Sequence, residues 1–291
     1  MLALLLAVPV GCSSSAEDEP PQASPAGSAP ASSAPGPALP RPDKTVVVVF
    51  ENKALDDVLG SGQAPYLDSL ASSAASFTDA HGEVHPSQPN YLALFSGSTH
   101  GVTDDRCPLT LTGDNLAGQL LAAGETFTGF AEGLPEPGST VCSDGEYRRK
   151  HNPWVDFTDL PASVDQPLSA MPSDYADLPT VSFVVPDMCS GMHDCDVTTG
   201  DRWAREHLAP YVQWATGHDS LLIVTFDEDD GAKANHIPTI VAGAGVRVTT
   251  SDERIDHYSL LRTIEDMYGL PPLGAAAQAR PLTGIWSSTG G

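Results

Sequence analysis

Residues 45–50 have the sequence TVVVVF, in which β-branched and aromatic residues follow one another without a polar interruption. A continuous run of this kind is typical of a strand that is buried on both faces of a sheet. The sequences TVSFVV at residues 180–185 and SLLIVTF at residues 220–226 predict two more buried strands. Because such runs alternate with helical segments, the sequence predicts an α/β fold, a mostly parallel central sheet with helices on both faces.

Weaker patterns complete this alternation. Apolar residues at helical spacing predict four helices, over residues 64–75, 116–123, 201–216 and 256–268. Shorter apolar runs predict strands over residues 126–130 and 237–242. We expect Pro210 to interrupt the third helix, because proline lacks the backbone N–H that an inner helical turn requires.

Polar residues follow the three buried strands. Glu51 and Asn52 follow the first, Asp187 the second, and Asp227 and Glu228 the third. In parallel α/β sheets the carboxyl ends of the strands meet at one edge, where ligands gather. A single Asp after a strand is usually a turn residue, but clustered carboxylates repel one another unless a cation lies among them. Oxygen ligands with an amide suit Mg²⁺, Ca²⁺ or Mn²⁺, and Zn²⁺ is an alternative if a histidine joins them.

The sequence HPSQPNYLALFSG at residues 85–97 predicts a tight turn that leads into a short helix. Pro86 and Pro89 fix φ on either side of Ser87, and Gly97 is expected to end the helix. Ser87 is therefore placed near a helix N-terminus, where free N–H groups and the helix dipole favour an anion. Serine is also a common N-cap, so the position alone leaves two roles open. The acidic residues after the strands favour the second role, in which Ser87 is a nucleophile rather than only an N-cap.

The composition constrains the partners. The chain has 291 residues, with 14 Lys and Arg against 38 Asp and Glu, and a formal net charge of −24. This length suits one large domain, and the charge argues against nucleic acid or an anionic membrane surface as a general partner. A phosphate-bearing substrate would need local positive charge. The run RRKH at residues 148–151 could supply it, although such runs are more often solvated surface.

The N-terminal segment indicates export. Residues 1–11 are almost wholly apolar and precede Cys12, so we expect residues 1–12 to be a signal peptide that ends in a lipobox. Pro9 departs from the lipobox pattern, and a plain signal peptide that is cleaved further along is the alternative. Residues 13–43 are rich in Ala, Pro and Ser and predict a disordered tether before a catalytic domain at residues 44–287. We expect an exported protein, either anchored at the outer face of the cell membrane by a lipid on Cys12 or secreted.

Four cysteines remain after Cys12, an even number that suggests two disulfides in an exported chain. Cys189 and Cys195 bracket a short loop, so we pair them with each other and pair Cys107 with Cys142. The alternative, a zinc site built from cysteines, lacks the usual closely spaced pairs.

Several motifs together resemble a known family. The combination of FEN at residues 50–52, HPSQPNY at 85–91, TFDEDDG at 225–231 and DHYSLL at 256–261 is similar to the bacterial phosphoesterase family of acid phosphatases and phospholipases C. That family belongs to the alkaline-phosphatase superfamily, and the likeness extends over residues 45–286. It implies an alkaline-phosphatase-like three-layer sandwich.

The resemblance also implies roles for individual residues. Glu51, Asn52, Asp227 and Glu228 would hold a divalent metal ion, and Ser87 would complete its coordination and become phosphorylated as the nucleophile. Asn90 would bind a phosphoryl oxygen. Asp187 and His193 resemble a pair that holds a second metal in relatives, although the spacing is longer here and the loop contains Cys189 and Cys195.

The chemistry also requires a proton donor for the leaving group. His193 and His257 are the candidates for this catalytic role, and a local hydrogen bond at the helix start is the alternative for His257. His85, Lys150 and His151 are candidates for substrate binding. His236 is either catalytic or a structural loop residue.

We therefore expect an exported, metal-dependent phosphomonoesterase of the acid phosphatase type, acting through a phosphoserine. Its substrate would be a phosphorylated small molecule or a phosphoinositide such as phosphatidylinositol 3-phosphate. The alternatives are a phosphodiesterase of the phospholipase C type and a non-enzymatic phosphate-binding lipoprotein. We expect the protein to be a monomer.

Overall fold

The valine run forms β1, Lys44–Phe50, at the centre of an eight-stranded sheet in the computed structural model, which describes residues 39–287. Residues 45–50 are all buried, as expected for a strand that is covered on both faces. The other strands are β2 Ala75–Phe77, β3 Ala80–His81, β4 Phe127–Ala131, β5 Ser143–Asp144, β6 Tyr147–Arg148, β7 Asp165–Pro167, β8 Val181–Val185, β9 Ser220–Phe226, β10 Thr239–Gly243, β11 Thr249–Ser251 and β12 Ile255–Asp256.

The strands of the large sheet lie in the order β11-β2-β10-β9-β1-β8-β4-β7. Strand β1 runs parallel to both of its neighbours, and Val47 pairs with Ile223 of β9 and Phe183 of β8. Strand β10 is antiparallel to β9 and β2, whereas the other pairs in this sheet are parallel. The predicted mostly parallel sheet is confirmed.

Two groups of helices flank this sheet. The helices are α1 Leu55–Val58, α2 Pro65–Ser73, α3 Ser87–Ser96, α4 Leu116–Ala122, α5 Val197–Ala215 and α6 His257–Tyr268. Helix α2 packs against α5, and α3 packs against α6 and α4. No helix within residues 39–287 is both long and apolar enough to cross a bilayer.

Helix α5 corrects the predicted interruption at Pro210. The helix continues through this proline, which lies on an exposed turn. It also begins earlier than the periodicity indicated, because the Asp196 side chain accepts a hydrogen bond from the Thr199 N–H at 2.8 Å. Such an N-cap satisfies a backbone donor that the first turn leaves free.

An aromatic cluster packs between α3 and the large sheet. Phe95 of α3 contacts Phe127, Trp154 and Phe183, with ring centroids 5.6–6.4 Å apart. The indole of Trp154 lies flat on Gly129 of β4, where a Cβ atom would come within 2.0 Å of the ring. Strand β4 therefore requires glycine at this position for steric reasons.

The two predicted disulfides, Cys107–Cys142 and Cys189–Cys195, are present. The predicted leader and residues 13–38 of the predicted tether lie outside the described residues. Residues 39–43, at the end of that tether, contact the domain: Leu39 packs against the core, and the Asp43 N–H donates to the Asp219 carbonyl at 2.7 Å.

Candidate active site

Ser87 is the first residue of α3, and its side chain is buried at the carboxyl edge of the sheet. Its Oγ lies 3.0 Å from Oε1 of Glu228 and 3.4 Å from Oε2 of Glu51. The pairing of Phe50 with Phe226 aligns the ends of β1 and β9, so the residues after them emerge side by side. The structure thus brings together Ser87 and the carboxylates that the sequence placed at this edge.

Asn52 and Asp227 complete this acidic group. Asn52 has a φ of 49°, a left-handed conformation that asparagine tolerates better than most residues. Its backbone N–H donates to Oδ1 of Asp227 at 3.0 Å, and the N–H of Glu228 donates to the same oxygen at 2.7 Å. These two bonds fix the Asp227 carboxylate beside the end of β1.

Burial makes negative charge unfavourable at all three carboxyl groups. Desolvation, followed by the charge of Asp227, raises the pKa of Glu51 well above its ordinary value and raises that of Glu228 to about 8. Desolvation also raises the pKa of Asp227, although hydrogen bonds from the Asn52 and Glu228 backbone oppose it. A cation bound among these groups would favour their charged forms.

The available oxygens fit a hard divalent cation. Oδ1 of Asn52 and Oδ2 of Asp227 are buried and have no hydrogen-bond partner within residues 39–287. Buried acceptors normally have a partner, and carboxylate and amide oxygens are the ligands that Mg²⁺, Ca²⁺ and Mn²⁺ prefer. The described part of the chain contains no group of three or more His, Cys, Asp or Glu side chains with the close spacing of a preformed metal site. The fit therefore rests on the type of these oxygens and their lack of partners.

Tyr91 and His151 both lie beside Glu51. The Tyr91 hydroxyl donates a hydrogen bond to Oε1 of Glu51, and Nε2 of His151 lies 3.3 Å from Oε2. The Tyr91 and His151 rings stack with their centroids 5.1 Å apart. Burial, and then the neighbouring Lys150, lower the pKa of His151 well below its usual range.

Tyr91 was not among the predicted site residues. The signal for it was its position four residues after Ser87, because residues i and i+4 share one face of a helix. On that face, the hydroxyl groups of Ser87 and Tyr91 both lie next to Glu51.

Lys150 lies beside the first turn of α3 and is held there by Asp105. Its Nζ is 2.6 Å from Oδ2 of Asp105, whose Oδ1 accepts a hydrogen bond from the Gln88 N–H at 3.0 Å. Asp105 was also missed by sequence reasoning. No local pattern marks it, because its two partners lie in other segments of the chain.

Two further predicted histidines lie at this edge. Nδ1 of His85 is 2.5 Å from Oε2 of Glu228, and its Nε2 is 3.3 Å from Oδ1 of Asp229. The ring of His193 lies 6.4 Å from that of His151 and is partly exposed, and its Nδ1 is 2.6 Å from Oδ1 of Asp194.

The suggested second-metal pair is not brought together by any direct contact in the described part of the chain. Oδ1 of Asp187 accepts hydrogen bonds from the N–H groups of Cys189 and Ser190, which shapes the disulfide loop. That loop also supports the site, because the Gly191 carbonyl accepts the Glu51 N–H at 2.9 Å.

Asn90 makes structural contacts. Its Oδ1 accepts from the N–H groups of Glu83 and Val84, and its Nδ2 donates to the carbonyls of Val84 and Pro86. These four contacts use both polar atoms of the amide and hold the turn before Ser87. The binding of a phosphoryl oxygen by Asn90 stays a prediction.

His257 and His236 also contact the backbone. Nε2 of His257 lies 2.9 Å from the Phe226 carbonyl, and burial lowers the pKa of its imidazole. Nε2 of His236 lies 2.8 Å from the Thr78 carbonyl. In residues 39–287 neither ring forms a hydrogen bond or an ion pair with Ser87 or the acidic group, so the contacts of His257 support the end of β9.

Comparisons with known proteins identify the family to which these motifs point. The Phosphoesterase family model matches residues 57–271. The chain is 50% identical over 244 residues to the phosphatidylinositol-3-phosphatase of Mycobacterium tuberculosis. This alignment covers 83% of this chain and 82% of that protein. It is 30% identical over 232 residues to an acid phosphatase of Aspergillus fumigatus, covering 70% of this chain and 51% of that protein. The family resemblance of the motifs is confirmed.

Solved structures support the fold. A protein of the alkaline phosphatase superfamily from Vibrio parahaemolyticus superposes with a TM-score of 0.61 at 15% identity, covering 86% of this chain and 71% of that one. The lipoteichoic acid synthase LtaP of Listeria monocytogenes superposes with a TM-score of 0.58 at 10% identity, covering 86% and 78%. The predicted superfamily fold is confirmed.

Proposed function

The chain belongs to the phosphoesterase family, and on that basis we propose that it is an exported, metal-dependent phosphomonoesterase that acts through a phosphoserine at Ser87. One observation carries this proposal: the buried Ser87 hydroxyl lies between Glu51 and Glu228 at the N-terminus of α3. A hydroxyl in this position is next to acceptors for its proton and at a helix end that favours a phosphoryl group.

The proposed substrate is a phosphomonoester, either a phosphorylated small molecule or a phosphoinositide such as phosphatidylinositol 3-phosphate. The phosphoinositide is supported by the name of the Mycobacterium tuberculosis relative, a phosphatidylinositol-3-phosphatase that is 50% identical to this chain. The names of the fungal relatives support an acid phosphatase. Lys150 supplies positive charge beside α3, where a monoester dianion benefits most from it.

Glu51, Asn52, Asp227 and Glu228 are the residues that would hold the metal ion, together with Ser87. When bound, a divalent ion there would lower the pKa of the serine hydroxyl and offset the charge of the phosphoryl oxygens. The hydrogen bond from the Tyr91 hydroxyl fixes Glu51 in this group, and the hydrogen bonds from the Asn52 and Glu228 backbone fix Asp227.

In the first half of the reaction, the bond between Ser87 Oγ and phosphorus forms while the ester P–O bond breaks. The proton of Ser87 passes to Oε1 of Glu228, which lies 3.0 Å away. His193, paired with Asp194, gives a proton to the leaving alkoxide. In the second half, water loses a proton to His193 and attacks phosphorus. The phosphoserine bond breaks, Ser87 recovers its proton from Glu228, and phosphate leaves.

The test compares Ser87→Ala with Ser96→Ala, a buried serine at the other end of the same helix. We expect Ser87→Ala to lower the rate of p-nitrophenyl phosphate hydrolysis by at least about 10⁴-fold and Ser96→Ala to keep most of it. Acid quenching during turnover, followed by mass spectrometry, should find phosphate on Ser87. Retained turnover in Ser87→Ala would contradict the role of this residue as the nucleophile. In a separate panel of monoesters and diesters, faster hydrolysis of diesters would favour the phospholipase C type.

Export and anchoring are proposed from the sequence and from the two disulfides, which form in oxidising compartments. We expect the protein in the membrane fraction of its native cells and Cys12→Ala in the soluble exported fraction. An unchanged distribution of Cys12→Ala would contradict a lipid on this residue and favour simple secretion or retention by other means.

A further inference from the structure

A cavity between α2 and α5 is lined by two arginines that have no ion-pair partner within residues 39–287. This cavity has a volume of about 560 Å³ and lies between the starts of α2 and α5, and its lining includes Gln63, Tyr66, Arg202 and Arg205. Arg202 and Arg205 form no ion pair or side-chain hydrogen bond with any residue in the range 39–287. Most other cations of this acidic chain are paired, as Lys150 is with Asp105. Unpaired guanidinium groups that share a cavity are suited to bind an anion.

The other polar groups of the cavity agree with an anionic ligand. The hydroxyl oxygen of Tyr66 is buried and has no hydrogen-bond partner in the described part of the chain. Asp201 is the acidic residue of the lining, and its two oxygens already accept the N–H groups of Tyr66 and Leu67 at 3.1 and 2.8 Å. The neighbouring cavity of about 570 Å³ contrasts with this one, because Glu132 and Glu206 line it without an arginine or a lysine.

The cavity lies on the same edge of the sheet as Ser87. Helix α2 follows β1 through residues 51–64, and α5 follows β8 through residues 186–196. Both helices therefore begin at the carboxyl end of the parallel strands. The two loops also touch, since the Gly191 carbonyl accepts the Glu51 N–H. An anion in this cavity would therefore be bound near the edge of the sheet that carries Ser87.

We propose that the Arg202–Arg205 cavity is a second, non-catalytic site for a phosphate-bearing anion. Its chemistry fits the phosphate of an anionic lipid headgroup or a free phosphate. In the former case the site would turn the catalytic edge toward a lipid surface that the overall charge of −24 otherwise repels. This site does not depend on turnover at Ser87, so its test can fail while the proposed phosphatase activity stands.

The test uses the double variant Arg202→Gln/Arg205→Gln. The matched control is Arg247→Gln/Arg280→Gln, which removes the same charge from two exposed arginines that also form no ion pair in residues 39–287. In the first arm, the full chain is sedimented with phosphatidylcholine vesicles with or without phosphatidylglycerol at low salt. If the ligand is a headgroup, the double variant should bind the anionic vesicles about 30-fold more weakly, since each arginine near such a surface contributes about 1 kcal/mol.

In the second arm, calorimetry with inorganic phosphate is carried out in a Ser87→Ala background. If the ligand is free phosphate, the double variant should lose one of two binding equivalents while its vesicle binding equals that of the control. If both kinds of binding fall, the shared phosphate chemistry is supported. If neither falls below the control, the proposal is wrong. Hydrolysis of p-nitrophenyl phosphate by the double variant with Ser87 intact should stay within about twofold of the unsubstituted protein, because the site is separate.

Discussion

Asp105 and Lys150 form an ion pair, with 2.6 Å between Oδ2 and Nζ, beside the first turn of the helix that carries Ser87. The other oxygen of Asp105 binds the Gln88 N–H, so one carboxylate links the basic run at residues 148–151 to this helix. The neighbouring Arg149 is also engaged, with Asp156 at 3.0 Å. Within this run, Lys150 is therefore the cation that a carboxylate links to the helix of Ser87.

The first prediction tests this placement. Lys150→Met should raise the KM for p-nitrophenyl phosphate about tenfold or more, because it removes the cation that we propose to contact the phosphoryl group. Arg148→Met is the matched control, since Arg148 bonds only the carbonyls of Gly145 and Tyr147 in the described structure. Steady-state kinetics distinguish the two variants. Equal effects would indicate that the run acts only through its total charge.

The second prediction concerns Tyr91. Tyr91→Phe removes the hydroxyl that donates to Glu51, and we expect a 10- to 100-fold loss of metal affinity or activity, roughly the effect of losing a partner of a metal ligand. Tyr211→Phe is the control, because it loses a buried hydrogen bond to the Leu221 carbonyl on another part of the sheet. That variant should lose about 1 kcal/mol of stability and keep its activity. A metal titration of activity that is unchanged in Tyr91→Phe would contradict the role of Tyr91.

The third prediction is metal dependence. Excess chelator should abolish hydrolysis, and addition of Mg²⁺, Ca²⁺, Mn²⁺ or Zn²⁺ in turn should show which ion restores it. Elemental analysis should find less bound metal in Asp227→Asn, since Oδ2 of Asp227 is one of the buried oxygens that have no hydrogen-bond partner within residues 39–287. Full activity in chelator, with no metal detected in the protein, would exclude the proposed ion.

The fourth prediction concerns pH and stability. Burial raises the pKa of Glu265 from its ordinary 4.5 to about 7, although its Oε1 accepts the Leu273 N–H. A raised pKa means that the folded state holds this proton more tightly than the unfolded state does. The contribution of Glu265 to stability is therefore full below pH 4.5 and falls as the pH rises toward 7.

Glu265→Gln should remove this loss, because the amide keeps the acceptor and carries no charge. Urea unfolding should show the variant gaining about 1–2 kcal/mol over the unsubstituted protein between pH 5 and pH 8. Glu206→Gln, at an exposed residue of α5, should show no such gain. A difference that stays constant with pH would show that Glu265 does not titrate in this range.

The fifth prediction concerns packing. Gly129→Ala should destabilise the fold by about 3 kcal/mol or more, because its Cβ would overlap the Trp154 indole inside the core. Gly118→Ala is the matched control in helix α4, where the Cβ meets only ordinary contacts with Asn115. It should be neutral or stabilising by up to about 1 kcal/mol. Thermal unfolding compares the two variants, and a mild effect at Gly129 would mean that Trp154 can move aside.

The sequence by itself determined the sheet and the acidic edge. A strand buried on both faces must be continuously apolar, so TVVVVF and SLLIVTF at residues 45–50 and 220–226 could be recognised without knowledge of their neighbours. Parallel strands bring their carboxyl ends to one edge, which placed Glu51, Asp227 and Glu228 together. The helix start at Ser87 was equally local, because prolines and a terminal glycine encode it.

Only the tertiary structure decided which side chains surround Ser87. Asp105 and Lys150 lie beside the start of α3 because loops from separate segments fold onto this helix, and loop paths leave no periodic pattern in the sequence. The same holds for the side-chain amide of Asn90 and for Nε2 of His257, whose partners are backbone groups that no motif names. Local sequence encodes burial and periodicity, whereas the partner of a polar side chain depends on distances that only the packed chain defines.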